Sequence, residues 1–290
     1  MSEVQRTLGV IGGSGLDELE QLSDIEELEM TTPFGAPSDA IIAGTIGSTR
    51  LLFLPRHGRG HRIAPHRINY RANVLALKMA GAEQILSLSA VGSMQEDIHP
   101  GDMIVVDQFI DRTRHRIDTF FDDDGVVAHV EFAEPIDAQL ARSLAGAAKQ
   151  VGATVHEGGV YLCMEGPQFS TRAESQLYRS WGVSVIGMTN LPEARLAREA
   201  ELPYATLAMA TDYDCWHEGH DAVTVNAIIA VMQRNVAKAK EIIVELAQAV
   251  PDPSGRAATS ALAGAIITRP DSISAAARDK LRPLIGKYVS

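Results

Sequence analysis

The chain is poor in cysteine and in positive charge, and it has no long hydrophobic run. Each shortage excludes something. Two cysteines in 290 residues, Cys163 and Cys215, build no disulfide framework. Lys and Arg number 26 against 37 Asp and Glu, a formal net charge of −11. A chain this acidic repels the phosphates of nucleic acid and of anionic membrane, so neither is expected as a general partner. A local anion site built from a few Arg, His and backbone N–H groups stays open to it. No stretch approaches the ~18 apolar residues of a membrane span. The opening MSEVQRTLGV lacks a basic start followed by an apolar segment, so no signal peptide is expected. A reducing, cytoplasmic setting follows as the expectation.

What is present suits a large core. Hydrophobic residues make up 46% of the chain and charged residues 22%, with no low-complexity tract and no internal repeat. Apolar runs at Leu8–Ile11, Ala40–Gly44, Arg50–Leu54, Gln84–Leu88, Met103–Val106, Gly159–Cys163, Val183–Ile186 and Tyr204–Ala210 read as strands. Helical spacing covers Asn69–Met79, Ile136–Val151 and Val223–Ala249, and Pro192 opens another helix reaching Ala200. Thr171-Arg172-Ala173-Glu174 fits a capping box that starts a helix near Arg172. Alternation of strand and helix from about residue 69 predicts an α/β layered domain, and the closely spaced early strands predict a mixed sheet. Pro251, Pro253, Ser254 and Gly255 mark a linker. The division expected is residues 1–250 as one domain and 251–290 as a linker with a terminal helix.

Several stretches carry polar groups in places where chemistry is done. ATDYDCWHEGHD, residues 210–221, sets Asp212 and Asp214 one residue apart after an apolar run. Side chains two apart on a strand point the same way, and ligands of open α/β sheets sit beyond the carboxyl ends of strands. Neighbouring carboxylates resist joint ionisation, so one of them can hold a proton near neutral pH and donate it. The same spacing also fits a turn of solvated acids or a pair of Mg²⁺ ligands. Gly12-Gly13-Ser14-Gly15 is a tight turn or a phosphate cradle, but neither G-x-G-x-x-G nor a Walker A loop. Pro55–Arg62, with Arg56, His57 and His61, concentrates cationic and titratable groups in an otherwise acidic chain and reads as an anion site or a solvated basic loop. Gly58 and Gly60 argue against the helix that His57 and His61 would need to bind zinc at i and i+4. Ser87–Ser93 offers hydroxyls at a strand end. In EGPQFST, Phe169 can stack on a flat ring or pack in the core. His217 and His220 lack partners at tetrahedral-site spacing, so no metal site is expected.

Together GGSGL, RHGRGH, INYRANVLALKMAG, DQFIDRT, EGPQFSTRAES, GMTNLPEARLAREA and ATDYDCW, in this order between about residues 7 and 247, resemble the trimeric purine nucleoside phosphorylases, in their methylthioadenosine branch. The resemblance implies a nucleoside phosphorylase-like three-layer α/β domain around a mixed, partly barrel-like sheet flanked by helices. It implies phosphorolysis of a 6-aminopurine thionucleoside, with inorganic phosphate as co-substrate and no cofactor or metal, and a homotrimer or dimer of trimers. It carries Ser14, Arg56, His57, Ser89, Ala90 and Thr189 to phosphate, Met188 to the ribose, and Phe169 and Ser170 to the purine. It carries Asp212 to purine N7 and Asp214 to the 6-amino group. Val225 and Ile228 would line the 5′ pocket, and His129 would reach the 5′ pocket of a neighbouring subunit.

Acids in place of the Asn typical of the 6-oxopurine branch favour adenine-type substrates, because a buried acceptor facing a 6-oxo group would lack a donor. Gly187 stands where many relatives have Asn, and Asn190 where Thr or Gly is usual. Both departures are expected near the purine and ribose. The rival readings are a phosphorylase of inosine, guanosine or methylthioinosine, a phosphate-binding module without turnover, and a metal-dependent hydrolase using His57, His61 and the acids.

Overall fold

The computed structural model describes residues 6–13, 15–122, 125–217 and 225–289. Among them the chain forms eleven strands and six α-helices. The strands are β1 (Arg6–Gly12), β2 (Ser23–Leu28), β3 (Ile41–Ile46), β4 (Thr49–Pro55), β5 (Gln84–Ser93), β6 (Met103–Val105), β7 (Gln108–Arg112), β8 (Val155–Glu157), β9 (Val160–Met164), β10 (Val185–Gly187) and β11 (Tyr204–Asp212). The helices are α1 (Tyr70–Met79), α2 (Ala138–Gln150), α3 (Arg172–Ser180), α4 (Asn190–Glu199), α5 (Val225–Ala247) and α6 (Ala275–Ile285).

The eleven strands make one mixed sheet that forks and does not close into a barrel. The fork is β5. Along one edge it pairs with β11 in parallel from Ile85 to Gly92. On the opposite edge its first half pairs with β1, Gln84 to Ser87, and its last two residues pair with β10, Gly92 and Ser93. Between those partners Leu88–Val91 has no strand on that edge. One branch continues through β1, β4, β3 and β2; another runs through β10, β9 and β7; β11 leads to β6 and β8. β1, β4, β5 and β11 are buried almost throughout, which is why they read as unbroken apolar runs rather than alternating ones.

Helix starts follow their caps. Asp137 accepts the N–H of Leu140 at 2.8 Å and opens α2, whose Leu140, Leu144 and Ala148 recur every four residues and are buried. Thr171 and Glu174 form the reciprocal capping box at α3. At α4, Leu191 is extended (φ −119°, ψ 134°), so continuous helix begins at Pro192 as its sequence position predicts. β2, β7 and β8 were missed as strands. β2 is almost wholly exposed and β7 half-buried, so neither carries a buried apolar run, and β8 is three residues long.

The tail after Val250 packs on the rest of the chain. Leu262, Ile273, Ala277, Leu281, Leu284 and Ile285 belong to the main core. Arg256 donates to Asp137 at 2.6 Å and to Gln84 Oε1 at 3.1 Å. Buried Glu201 gathers the far end, accepting from Leu262 N–H at 3.1 Å and Tyr288 O–H at 2.5 Å and pairing with Lys287 at 2.6 Å. Leu281→Ala is expected to destabilise the whole protein by about 2–5 kcal/mol, read as an earlier single transition in denaturant unfolding; an unchanged midpoint would mean that the tail is dispensable to the core.

Candidate active site

The unpaired edge of β5 opens onto a cavity of about 350 Å³, a volume suited to a small ligand. Leu88–Gly92 form one wall, Gly13, Arg56, His57 and His61 another, and Ile186–Thr189 a third. Asp212 and Asp214 stand on its polar side, Met164 and Phe169 on an apolar one, and Met232 and Val236 of α5 complete it.

Arg56 fills the split in the sheet. It is fully buried and forms a two-point ion pair with equally buried Glu193, Nε to Oε2 at 2.9 Å and Nη2 to Oε1 at 3.0 Å. Nη2 also donates to Ser87 Oγ at 2.7 Å, and Nη1 donates to the Leu88 carbonyl at 2.8 Å. A guanidinium has five N–H groups. Among the described residues, one Nη1 hydrogen is left for a ligand. Glu193 takes two further donors, Ser87 O–H at 2.6 Å and Tyr204 O–H at 2.9 Å. The attraction to Glu193 keeps the guanidinium charged against full burial. Removing Arg56 would strand a buried carboxylate, a loss of about 3–5 kcal/mol, so Arg56→Ala cannot isolate ligand binding.

His57 is held in one tautomer. Its Nδ1 lies 2.8 Å from the Ile63 carbonyl, which can only accept, so Nδ1 carries the hydrogen and Nε2 is an acceptor. Burial first, and then the Arg56 charge, push His57 down to about 4, so it is neutral at pH 7. It stacks on His61 at 4.2 Å in a turn that is not helical. Among the described residues no group of three His, Cys, Asp or Glu could hold a metal ion.

The two acids meet, but not through strand alternation. β11 ends at Asp212 with an irregular step after Ala210, and Asp214 lies in the turn that follows. Gly92 brings them together: a Cβ there would stand 3.2 Å from Asp212 Oδ1 and 3.3 Å from Asp214 Cβ. The turn is anchored by Trp216, whose Nε1 donates to the Ser93 carbonyl at 2.8 Å beneath the Arg179 guanidinium. Burial is the main cause of the rise of Asp212 to about 6, with the Asp214 charge a lesser one. The expected mutual repulsion is therefore secondary to desolvation. Thr211 Oγ1 is 2.7 Å from Asp212 Oδ2 and 3.1 Å from the Val91 carbonyl. Its single hydrogen serves one of them, and both contacts bond at once only when Asp212 Oδ2 carries a proton. Asp214 is also raised by burial, against hydrogen bonds from Ser175, whose hydroxyl donates to Oδ2 at 2.5 Å, and from Cys215.

Of the other residues singled out in the sequence, Ser89, Ala90, Met188 and Thr189 line the cavity, and Phe169, 71% exposed, stands at it rather than in the core. Ser170 does not line it; its hydroxyl meets Met164 Sδ at 3.4 Å. His129 lies in a second cavity of about 430 Å³ with Arg195 and Glu199. Ser14, His220 and the side chains of Val225 and Ile228 lie outside the described residues. Asn190 is not beside the base or sugar space: it is buried, and the two hydrogens of its amide are shared among Ser87, Tyr204 and Thr206 behind Arg56.

Two groups escaped the sequence reading. Glu193 looks like an ordinary acid in the first turn of a helix. Arg116, in the run DRTRHR, looks like one more basic loop residue, yet it is buried and donates to the carbonyls of Met188 (2.7 Å), Leu191 (2.6 Å) and Glu165 (2.7 Å), tying two cavity walls together.

With the cavity described, comparison decides the family. The Phosphorylase superfamily model matches residues 7–248. The chain belongs to that superfamily. It is 55% identical to the S-methyl-5′-thioadenosine phosphorylase of Geobacter sulfurreducens over 99% of this chain and all of that protein, and 51% identical to that of Koribacter versatilis over 98% and 97%. Among solved structures, a methylthioadenosine phosphorylase from an antarctic soil metagenomic library superposes with a TM-score of 0.91 at 42% identity, covering 97% of this chain and 99% of that one. The methylthioadenosine phosphorylase of Schistosoma mansoni in complex with adenine gives 0.84 at 36%, covering 90% and 98%. The phosphorylase fold expected from the sequence is thus present, as an open forked sheet.

The raised acid gives a stability test. A carboxyl whose pKa is raised on folding binds its proton more tightly in the folded state. Its contribution is full below the unfolded value of 3.8 and is lost as pH rises through about 6. Asp212→Asn should therefore gain on the wild type in urea unfolding between pH 4 and 7; equal pH dependence in the two proteins would mean that Asp212 ionises normally.

Proposed function

We propose that this superfamily member is an S-methyl-5′-thioadenosine phosphorylase, a pentosyltransferase converting S-methyl-5′-thioadenosine and inorganic phosphate to adenine and S-methyl-5-thio-α-D-ribose 1-phosphate. The observation that carries the reading is a cavity with two buried acids of raised pKa on one side and a neutral His, one spare guanidinium N–H and two hydroxyls on another. Full-length identity of 55% to a protein of that name supports it.

In the reaction a phosphate oxygen bonds to C1′ while the C1′–N9 bond breaks and its electrons pass to the purine. Monohydrogen phosphate loses its proton on forming the ester, and adenine gains one. Asp212 supplies the proton at N7 as negative charge builds on the leaving base. His57 Nε2, an acceptor, takes the hydrogen bond of the P–OH group, and the proton leaves along it. Ser89, Ala90, Thr189 and Arg56, with Ser14, hold the phosphate. Met188 lies under the ribose, Phe169 flanks the purine with Ser170 behind it against Met164, and Val225 and Ile228 line the 5′ pocket. Asp214 Oδ1 accepts from the 6-amino group; a 6-oxo purine would bring an acceptor against it, which disfavours inosine. The chain acts without an organic cofactor or metal, in the cytoplasm, as a homotrimer or dimer of trimers. His129 reaches a neighbour's 5′ pocket from a face where Ile117, Val127 and Ile267 are exposed. No helix among the described residues is long and apolar enough to cross a membrane.

The test is free-base release from methylthioadenosine, adenosine, inosine and methylthioinosine, with and without phosphate. Phosphate-dependent adenine release, fastest from methylthioadenosine, is expected. Hypoxanthine release in its place would remove Asp214 from base recognition, and release without phosphate would make this a hydrolase. Asp212→Asn should lower turnover by on the order of 10²; near-wild-type turnover would end its assignment as proton donor. Light scattering should find an oligomer, and a fully active monomer would rule out the exchange of His129.

A further inference from the structure

Gly187 lines the cavity, yet no side chain fits there. A Cβ would stand 2.0 Å from Tyr161 Oη, 2.6 Å from Tyr161 Cζ and 3.1 Å from Val91 Cγ1. The space is taken from behind. Tyr161 is fully buried on β9, opposite Val185 of β10 and Phe109 of β7, with its ring edge-on to Phe109 at 5.7 Å. It does not line the cavity. Its oxygen lies 3.0 Å from Ser89 Oγ, and Ser89 Oγ lies 3.1 Å from Thr189 Oγ1. The Thr189 backbone N–H donates to the phenol oxygen at 3.4 Å. Three hydroxyls thus form a chain, and its last two members, Ser89 and Thr189, face the cavity.

The hydrogens fix the direction of that chain. A hydroxyl has one hydrogen to give and two lone pairs to receive with. Tyr161 already receives from Thr189 N–H. Its own hydrogen has the Ser89 hydroxyl at 3.0 Å, with the Thr189 hydroxyl beside it, and a buried phenol hydrogen left unused would be costly. Tyr161 therefore donates to Ser89. Ser89, having accepted, turns its own hydrogen away from Tyr161, toward Thr189 at 3.1 Å, the Ala90 carbonyl at 3.4 Å or the cavity. Successive donors polarise one another, so Ser89 becomes a stronger donor to an anion.

We propose that Tyr161 is a positioning residue that aims the hydroxyl hydrogens of Ser89 and Thr189 at the bound phosphate, and that residue 187 is glycine so that the phenol can reach them. The proposal rests on the reading of this side of the cavity as the phosphate site. Tyr161 touches neither substrate, and its effect falls on the co-substrate alone. Gly187 thereby acts on phosphate binding rather than on the choice of base.

The experiment is steady-state kinetics with methylthioadenosine and inorganic phosphate for the wild type, Tyr161→Phe, Ser89→Ala, Thr189→Val and the Ser89→Ala/Tyr161→Phe double variant. Tyr161→Phe keeps the ring and removes only the hydroxyl. It should raise KM for phosphate by about 3–10-fold, the scale of one neutral hydrogen bond, while KM for methylthioadenosine stays within about twofold. In the Ser89→Ala background it should add nothing, since the acceptor is gone. Gly187→Ala, which pushes the phenol aside with its hydroxyl intact, should give the same split between the two KM values. Equal change in both KM values, or the same penalty with and without Ser89, would reduce Tyr161 to a packing residue and overturn the proposal. If Ser89→Ala and Thr189→Val weaken phosphate while Tyr161→Phe does not, the phosphate site stands and Tyr161 plays no part. If Ser89→Ala and Thr189→Val leave KM for phosphate unchanged, the phosphate reading itself falls, and the proposal with it.

Discussion

The molecule is organised around an ion pair set in a torn sheet. β5 has one partner along one edge and two in succession along the other, and the interval between β1 and β10 leaves Leu88–Val91 without a strand. Unpaired backbone at the centre of a protein is costly unless something bonds it. Arg56 does so in part, donating to the Leu88 carbonyl and, more weakly, to Ile11 at 3.4 Å. A buried guanidinium is itself tolerable only with a matched anion, and Glu193 supplies it in two-point geometry. Ser87 and Tyr204 donate to Glu193, and Asn190 and Thr206 bond those two in turn. The opening in the sheet and the cavity wall are the same feature, so the residues that keep the fold from closing also define where a ligand can lie.

This explains why the cavity walls come from such distant parts of the chain. Arg56 follows β4, Ser89 belongs to β5, Thr189 follows β10, and Asp212 ends β11. Arg116 performs a related task at one remove. By bonding the carbonyls of Met188, Leu191 and Glu165 it fixes the loops after β9 and β10 relative to each other. Both Arg56 and Arg116 are cations spent on structure inside an acidic protein, and most of their hydrogens are used by protein acceptors.

How much of this was legible depends on the range of the interaction. Local features read well: the capping box at Thr171, the start of continuous helix at Pro192, the long buried run of β11 and the absence of a helix between His57 and His61. The polar clusters were also visible as clusters, because Arg56-His57, Ser89-Ala90 and Asp212…Asp214 are each compact in sequence. Their family resemblance brought them to one cavity correctly. What was not legible is pairing across long separations. Glu193 finds Arg56 137 residues away, Tyr161 finds Ser89 72 residues away, and neither looks unusual in its own neighbourhood. Asn190 and Gly187 stood out as departures from the family and were read as features of the base and sugar site. Asn190 lies in the network behind Arg56, while Gly187 does line the cavity and leaves the space behind it to a phenol. The acids were read as lying past a strand ending at Ala210 and sharing a face by strand alternation, whereas the strand runs on to Asp212 and Asp214 sits in the turn beside Gly92.

The electrostatics of the anion side follow from the same arrangement. Arg56 is a full positive charge, but Glu193 cancels it locally, and His57 is neutral at pH 7. The groups that face the cavity there offer hydrogen bonds rather than net charge. That is a sensible design for a co-substrate that must be consumed. A strongly cationic pocket would hold phosphate, and the sugar phosphate made from it, in a deep well, lowering the energy of the ground state along with that of the transition state. Fixed donors, one spare guanidinium hydrogen and an imidazole acceptor instead distinguish ligands by the number and direction of their hydrogens, which charge alone does not. They also leave the pocket free of a large positive field beside C1′, where positive charge must develop as the base departs. The acidic balance of the chain therefore does not conflict with the proposed anionic substrate, because this side of the cavity offers oriented dipoles at a gap in the sheet rather than net charge.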